Sequence, residues 1–384
     1  MSPHRRVPVW YVGLIAGVLF APLRCMTAAN SQTPAATTPA TPPAVSRQQE
    51  ATRPDAQPVV SQPVTTPSRT VTADEDPEAL RGVERGLRVL TRGAREYPEH
   101  RQCFACHHQT LPLLALTAAH RLDLPRQTAL EQELVAFVRH SFENRVDELT
   151  AGEGIGGKAL TVGYALWTLR LAGEPADDLT HAMVAYLLKT QSAEGAWELH
   201  AIRPPAEESV VLESVLAAAG IRHFGGNSQR AEVEAAVQRT RDWLARQTTV
   251  LHEDRVARAW SVALLGTTGE DAPSARLPLL QTQHPDGSWA QTAGAAGDAY
   301  ATATALYALL ESGLTPGEEP IRRGVAFLRQ SQAEDGSWHV ATRATPVQVF
   351  FDNGDPGGRD QFISMLATGW ATAVLARTAG SNPR

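Results

Sequence analysis

Gln191-Ser-Ala-Glu-Gly195-Ala-Trp197 decides the reading of this chain, because it recurs twice with identical spacing, as Gln283-His-Pro-Asp-Gly287-Ser-Trp289 and Gln332-Ala-Glu-Asp-Gly336-Ser-Trp338. Each copy combines three chemical tasks. The glutamine amide can bond backbone groups freed where a helix ends. The glycine permits a left-handed turn. The tryptophan packs a large ring and keeps one N–H for a partner. Such a unit ends one helix and fastens it to the next.

Working outward, apolar positions recur at helical spacing and no alternating Val/Ile run is found. The spacing predicts helices at about 78–95, 110–122, 125–148, 158–173, 177–191, 206–220, 229–247, 253–267, 273–283, 298–313, 318–332 and 360–378. They alternate in character. One set is charged with a single apolar stripe, as in Arg230–Gln247. The other is small and apolar, as in Thr302–Leu310 and Leu366–Leu375. The apolar helices start roughly every 48 residues, the signature of a helical repeat. Charged helices suit an outer layer and apolar ones an inner layer. The expected fold is all-α, with six helix pairs that can close into a ring over residues 76–384.

The Gln-x3-Gly-x-Trp repeats resemble those of squalene–hopene cyclases and the related prenyltransferase toroids. The third copy, preceded by Arg323-Gly324-x-x-Phe327-Leu328, is the fullest match. The resemblance implies an (α/α)6 toroid of inner and outer helices over about residues 78–378. It does not carry the family's chemistry with it. The Asp-x-Asp-Asp acid motif of the cyclases is absent, and the nearest patterns, Asp352-Asn-Gly-Asp355 and Asp177-Asp178, do not match it. No residue-by-residue match to the prenyltransferase zinc site can be drawn.

The chain begins with Arg5 and Arg6, an apolar run from Val7 to Leu23 and small residues at Thr27–Ala29, the layout of a signal peptide over 1–29. An uncleaved anchor is the other reading and would keep the protein near a membrane. Residues 30–75, rich in Pro, Thr, Ala, Ser and Gln, read as a disordered linker. Export to the periplasm or beyond is therefore expected. A net charge of −6 without a basic stripe argues against nucleic acid as a partner.

Cys103-Phe-Ala-Cys106-His107 has the spacing of c-type haem attachment. Two thiols can form thioethers and the adjoining imidazole can reach the iron. Cys103, Cys106 and His107 are thus expected to hold a covalent haem c. His108 is the first candidate for the sixth ligand, with His120, His200, His252 and Met365 behind it. A Cys103–Cys106 disulfide or redox pair and a zinc or other metal site using Cys103, Cys106, His107 or His108 remain open alternatives. The leads into the inner helices should gather at one mouth, placing there Gly156-Gly157-Lys158, His200, Glu207-Glu208, His252-Glu253-Asp254, Asp298-Tyr300 and Asp352-Asp355-Asp360. Asp298, Asp352 and Asp355 are the catalytic candidates. The expected function is haem-dependent redox chemistry or electron transfer, with a redox partner protein or an apolar small molecule as partner. The alternatives are an isoprenoid-processing enzyme of the cyclase or prenyltransferase type and a non-catalytic scaffold.

Overall fold

The computed structural model describes residues 76–266, 271–346 and 349–379. The expected signal peptide and linker lie outside the described residues. Among the described residues thirteen α-helices follow one another: α1 Pro77–His100, α2 Thr110–Ala119, α3 Thr128–Glu143, α4 Val146–Ala151, α5 Lys158–Leu171, α6 Asp178–Thr190, α7 Val210–Phe224, α8 Arg230–Ala245, α9 His252–Leu265, α10 Asp271–Leu280, α11 Ala299–Glu311, α12 Glu319–Ser331 and α13 Gln361–Thr378. Among the described residues the only β-pairing is two isolated bridges, Arg203 with Glu207 and Trp289 with Asp298.

Six of these helices form a closed inner ring. α2 packs on α5, α5 on α7, α7 on α9, α9 on α11, α11 on α13, and α13 back on α2. α11 shows why they lie inside: every residue from Ala299 to Leu309 is buried, which its alternating small residues allow by letting neighbours approach closely. The outer helices are α1, α3, α6, α8, α10 and α12. They carry charge outward and bury one stripe, as α8 does with Val233, Ala236, Val237, Thr240 and Leu244. The chain is an (α/α)6 toroid.

The helix starts follow local chemistry. Asp76 accepts from Glu78 N at 3.0 Å ahead of Pro77, Asp177 and Thr180 cap each other's backbone at α6, and Asp298 accepts from Ala301 N at 2.9 Å at α11. The region expected as one helix over 125–148 is two. α3 stops at Glu143, and α4 resumes at Val146 before Gly152 ends it in the left-handed conformation.

The repeated motif staples neighbouring outer helices. In each copy the glutamine Nε2 donates both within its own turn and to the next outer helix: Gln191 to Ala236 O at 2.9 Å, Gln283 to Pro320 O at 2.9 Å, and Gln332 to Gly82 O at 2.9 Å. The tryptophan Nε1 donates to the carbonyl ten residues earlier, to Leu187, Leu279 and Leu328 at 3.0, 2.8 and 2.9 Å. Its backbone N–H donates to an inner-helix hydroxyl, Ser214, Thr302 or Thr368. One motif therefore ties its own outer helix, the next outer helix and an inner helix. The third copy docks on α1, so the last pair is fastened to the first and the ring is closed.

Candidate site at the ring mouth

Four aromatic side chains close the ring axis. Trp167 of α5, Trp260 of α9, Tyr307 of α11 and Trp370 of α13 all meet one another, with ring centroids 4.7–6.4 Å apart. All four are buried. Glu253 lies seven residues before Trp260, two turns of α9 and hence on the same face. That face is the lumen, since Trp260 meets three other inner helices there. Tyr300 stands in the same relation to Tyr307 on α11. Glu253 and Tyr300 thus sit about 10 Å above the aromatic floor at 1.5 Å per residue, on the side of the inner-helix N-termini.

Four of the leads, those into α7, α9, α11 and α13, are joined at this end. Arg343, in the segment before α13, pairs with Glu208 before α7 and donates to Gln291 Oε1 at 2.8 Å; Gln291 in turn donates to Asp298 Oδ2 at 3.1 Å before α11. Ser209 donates to Asp254 Oδ1 at 2.7 Å, joining the α7 and α9 leads. Arg203 Nε donates to Glu207 Oε2 at 2.7 Å. Arg343 is a residue the sequence does not single out; no local pattern shows that an arginine will link three leads.

Glu253 is the unusual member. It is 1% exposed, and neither carboxyl oxygen has a hydrogen-bond partner. Burial holds its carboxyl well above the usual carboxylate range, and the charges of Glu208 and Asp254 push the same way. Burial without a partner therefore favours the protonated form of this group. Burial also raises Tyr164 and Tyr300, each of which lies near enough to feel Glu253.

The three catalytic candidates behave differently. Asp298 reaches the mouth but is the N-cap of α11. Asp352 and Asp355 belong to a run of tight turns. Asp352 Oδ1 accepts from Gly354 N at 2.9 Å, Asn353 Oδ1 from Asp355 N at 2.9 Å and Asp355 Oδ1 from Gly357 N at 2.7 Å. Asp355 is raised to about 6 by burial, and its charged neighbours are Arg92, Asp335 and His339, not the mouth acids. The two aspartates shape the segment and do not join Asp298.

The Cys-x-x-Cys-His stretch leads into α2 as expected. Cys103 and Cys106 are free thiols. Cys103 Sγ lies 3.8 Å from the Tyr97 hydroxyl. Cys106 packs on the core beside Glu207 and Arg203, where burial pushes its thiol up to about 12. Phe362 stacks on His107 with centroids 4.9 Å apart, and burial lowers His107 to about 3. His107 Nδ1 meets His108 Nδ1 at 2.5 Å, and His108 Nε2 meets Asn353 Nδ2 at 2.8 Å. Both nitrogens of His108 are engaged, so this arrangement does not offer it as a sixth iron ligand. The other candidates are no better placed. His120 pairs with Glu131 at 2.6 Å at the far end of α2, His252 Nε2 meets Thr304 Oγ1 at 3.1 Å, and Met365 packs against Gly93. His200 is exposed at the rim.

Glu213 was not foreseen. It is fully buried on α7, its Oε1 accepts from Leu160 N at 3.1 Å and so caps α5, and burial raises it to about 8. A carboxyl whose folded value is raised stabilises most below its unfolded value, 4.5, and loses that stability as pH rises through about 8. Glu213→Gln keeps the accepting oxygen and removes the proton. The variant is expected to be a few kcal/mol more stable than the wild type at pH 9, at about 1.4 kcal/mol per unit, and close to it at pH 5. Urea titrations at the two pH values check this; an unchanged difference would contradict the assignment.

No protein-family profile matches the sequence, and no curated protein does. Solved structures do match in fold. The type II terpene cyclase MstE from Scytonema aligns at TM-score 0.51 and 15% identity, over 78% of this chain and 98% of that one. Its complex with merosterolic acid A aligns at 0.50 and 16%, over 78% and 97%. A protein from Actinoplanes aligns at 0.50 and 16%, over 78% and 99%. At this identity the likeness shows the toroid fold alone.

Proposed function

We propose that the chain is an enzyme that protonates an unsaturated apolar substrate of the isoprenoid class, with Glu253 as general acid. The observation that carries this is the buried, unpartnered Glu253 carboxyl on the lumen face above four aromatic rings. A proton donor must hold its proton at working pH and be able to part with it. Burial supplies the first condition, and the absence of a competing acceptor leaves the proton free for substrate. A cation formed from an alkene lies over Trp and Tyr faces, which attract positive charge by about 0.5–2 kcal/mol each. Arg343 and Arg203 are already paired with Glu208 and Glu207, so the mouth favours a neutral head on the substrate. The fold shared with terpene cyclases is consistent with this reading.

The test is incubation of the purified full chain with C15 to C30 polyprenols and polyenes in D2O. Cyclised or isomerised products carrying one non-exchangeable deuterium are expected. Recovery of every substrate unchanged and unlabelled would contradict the proposal.

A further inference from the structure

We propose that Asn353 is a positioning residue that sets the tautomers of both histidines of the Cys-x-x-Cys-His-His stretch, so that His107 carries its proton on Nε2 and has no lone pair there for iron. The deduction runs along one chain of contacts. Asn353 Oδ1 accepts from Asp355 N at 2.9 Å. Turning the amide over would set two donors against each other, so Nδ2 must face His108 and donate to its Nε2 at 2.8 Å. With Nε2 accepting, the proton of His108 sits on Nδ1. The 2.5 Å contact between the two Nδ1 atoms holds one proton, which His108 donates. His107 Nδ1 is then the acceptor, and its proton is on Nε2.

The surroundings hold this order. Asn353 and His108 are fully buried. Asn353 N donates to Gln361 Oε1 at 3.0 Å, and Gln361 Nε2 donates to Phe351 O at 2.6 Å. Tyr97 stacks on His108 at 4.4 Å and Phe362 on His107 at 4.9 Å, so neither ring can turn over freely. The close Nδ1–Nδ1 contact has room for only one proton, so the two rings cannot both be doubly protonated. A haem-ligating histidine needs the opposite tautomer, with Nδ1 donating and Nε2 bare. The same five-residue motif is thus turned from an iron-binding group into a hydrogen-bond donor by a residue some 245 positions away in sequence.

Nitrogen-15 NMR of the full chain labelled at histidine tests this. His107 is expected to show a bare Nδ1 and a protonated Nε2, and His108 the reverse. In Asn353→Asp the new carboxylate accepts, so both rings are expected to exchange tautomers. The wild-type spectrum alone decides if that variant does not fold. A bare Nε2 at His107 in the wild type would overturn the proposal, as would unchanged tautomers in a folded Asn353→Asp. A Soret band with a pyridine haemochrome, in protein made by a host competent in haem attachment, would also overturn it.

Discussion

Glu253→Gln is expected to lower product formation about a thousandfold, within the roughly 10²–10⁴ that a positioned general acid supplies. The substitution keeps size and shape and removes the transferable proton. Deuterium incorporation should fall with product, since both depend on the same proton. Stability should not fall with it. The wild-type carboxyl is buried with neither oxygen bonded. Removing a buried ionisable group avoids the cost of charging it as pH rises. Loss of activity with an unchanged or raised midpoint of unfolding separates a chemical role from a structural one. Retained activity in a folded variant would remove Glu253 from the mechanism.

Gly336→Ala is expected to destabilise the ring by about 3 kcal/mol or more, through strain and overpacking together. Gly336 has φ +97°, where an alanine is strained, and an added Cβ would lie 2.5 Å from the Arg85 backbone carbonyl. Backbone of α1 cannot move aside without opening the junction between the last and first helix pairs. Gly173 is the control. It has φ +74° but nothing within 4 Å of an added Cβ, so Gly173→Ala should show the backbone cost alone, about 1 kcal/mol. Denaturant titration of the two variants gives the difference. Equal losses would mean that the close approach at the closure contributes nothing.

Much of the architecture was legible because it rests on local pattern. The three Gln/Gly/Trp turns, the alternation of charged and apolar helices and the step between inner helices lead to the closed ring. The gathering of the leads at one mouth follows from that topology. The break between α3 and α4 was missed because the apolar period runs through it. At the mouth, Glu207, Glu208, Glu253 and Asp298 were legible as a group, from their places ahead of the inner helices. Which of them would be neutral was not legible. Asp298, the candidate with the clearest position, is a helix cap; Glu253, one residue from a histidine and an aspartate in an ordinary first turn, is the buried acid. The difference comes first from burial, to which the charges of Glu208 and Asp254 add.

The five-residue haem pattern shows the same division. By itself the sequence determined two thiols, an imidazole and their spacing, along with the helices and staples that close the toroid, because these depend on neighbours a few bonds or one helical turn away. The burial of Glu253, the filling of the lumen by Trp167, Trp260, Tyr307 and Trp370, and the orientation of His107 through His108 and Asn353 were decided only by the tertiary structure. Burial and hydrogen-bond direction are set by whatever faces a group across space, and here those partners come from opposite ends of the folded chain.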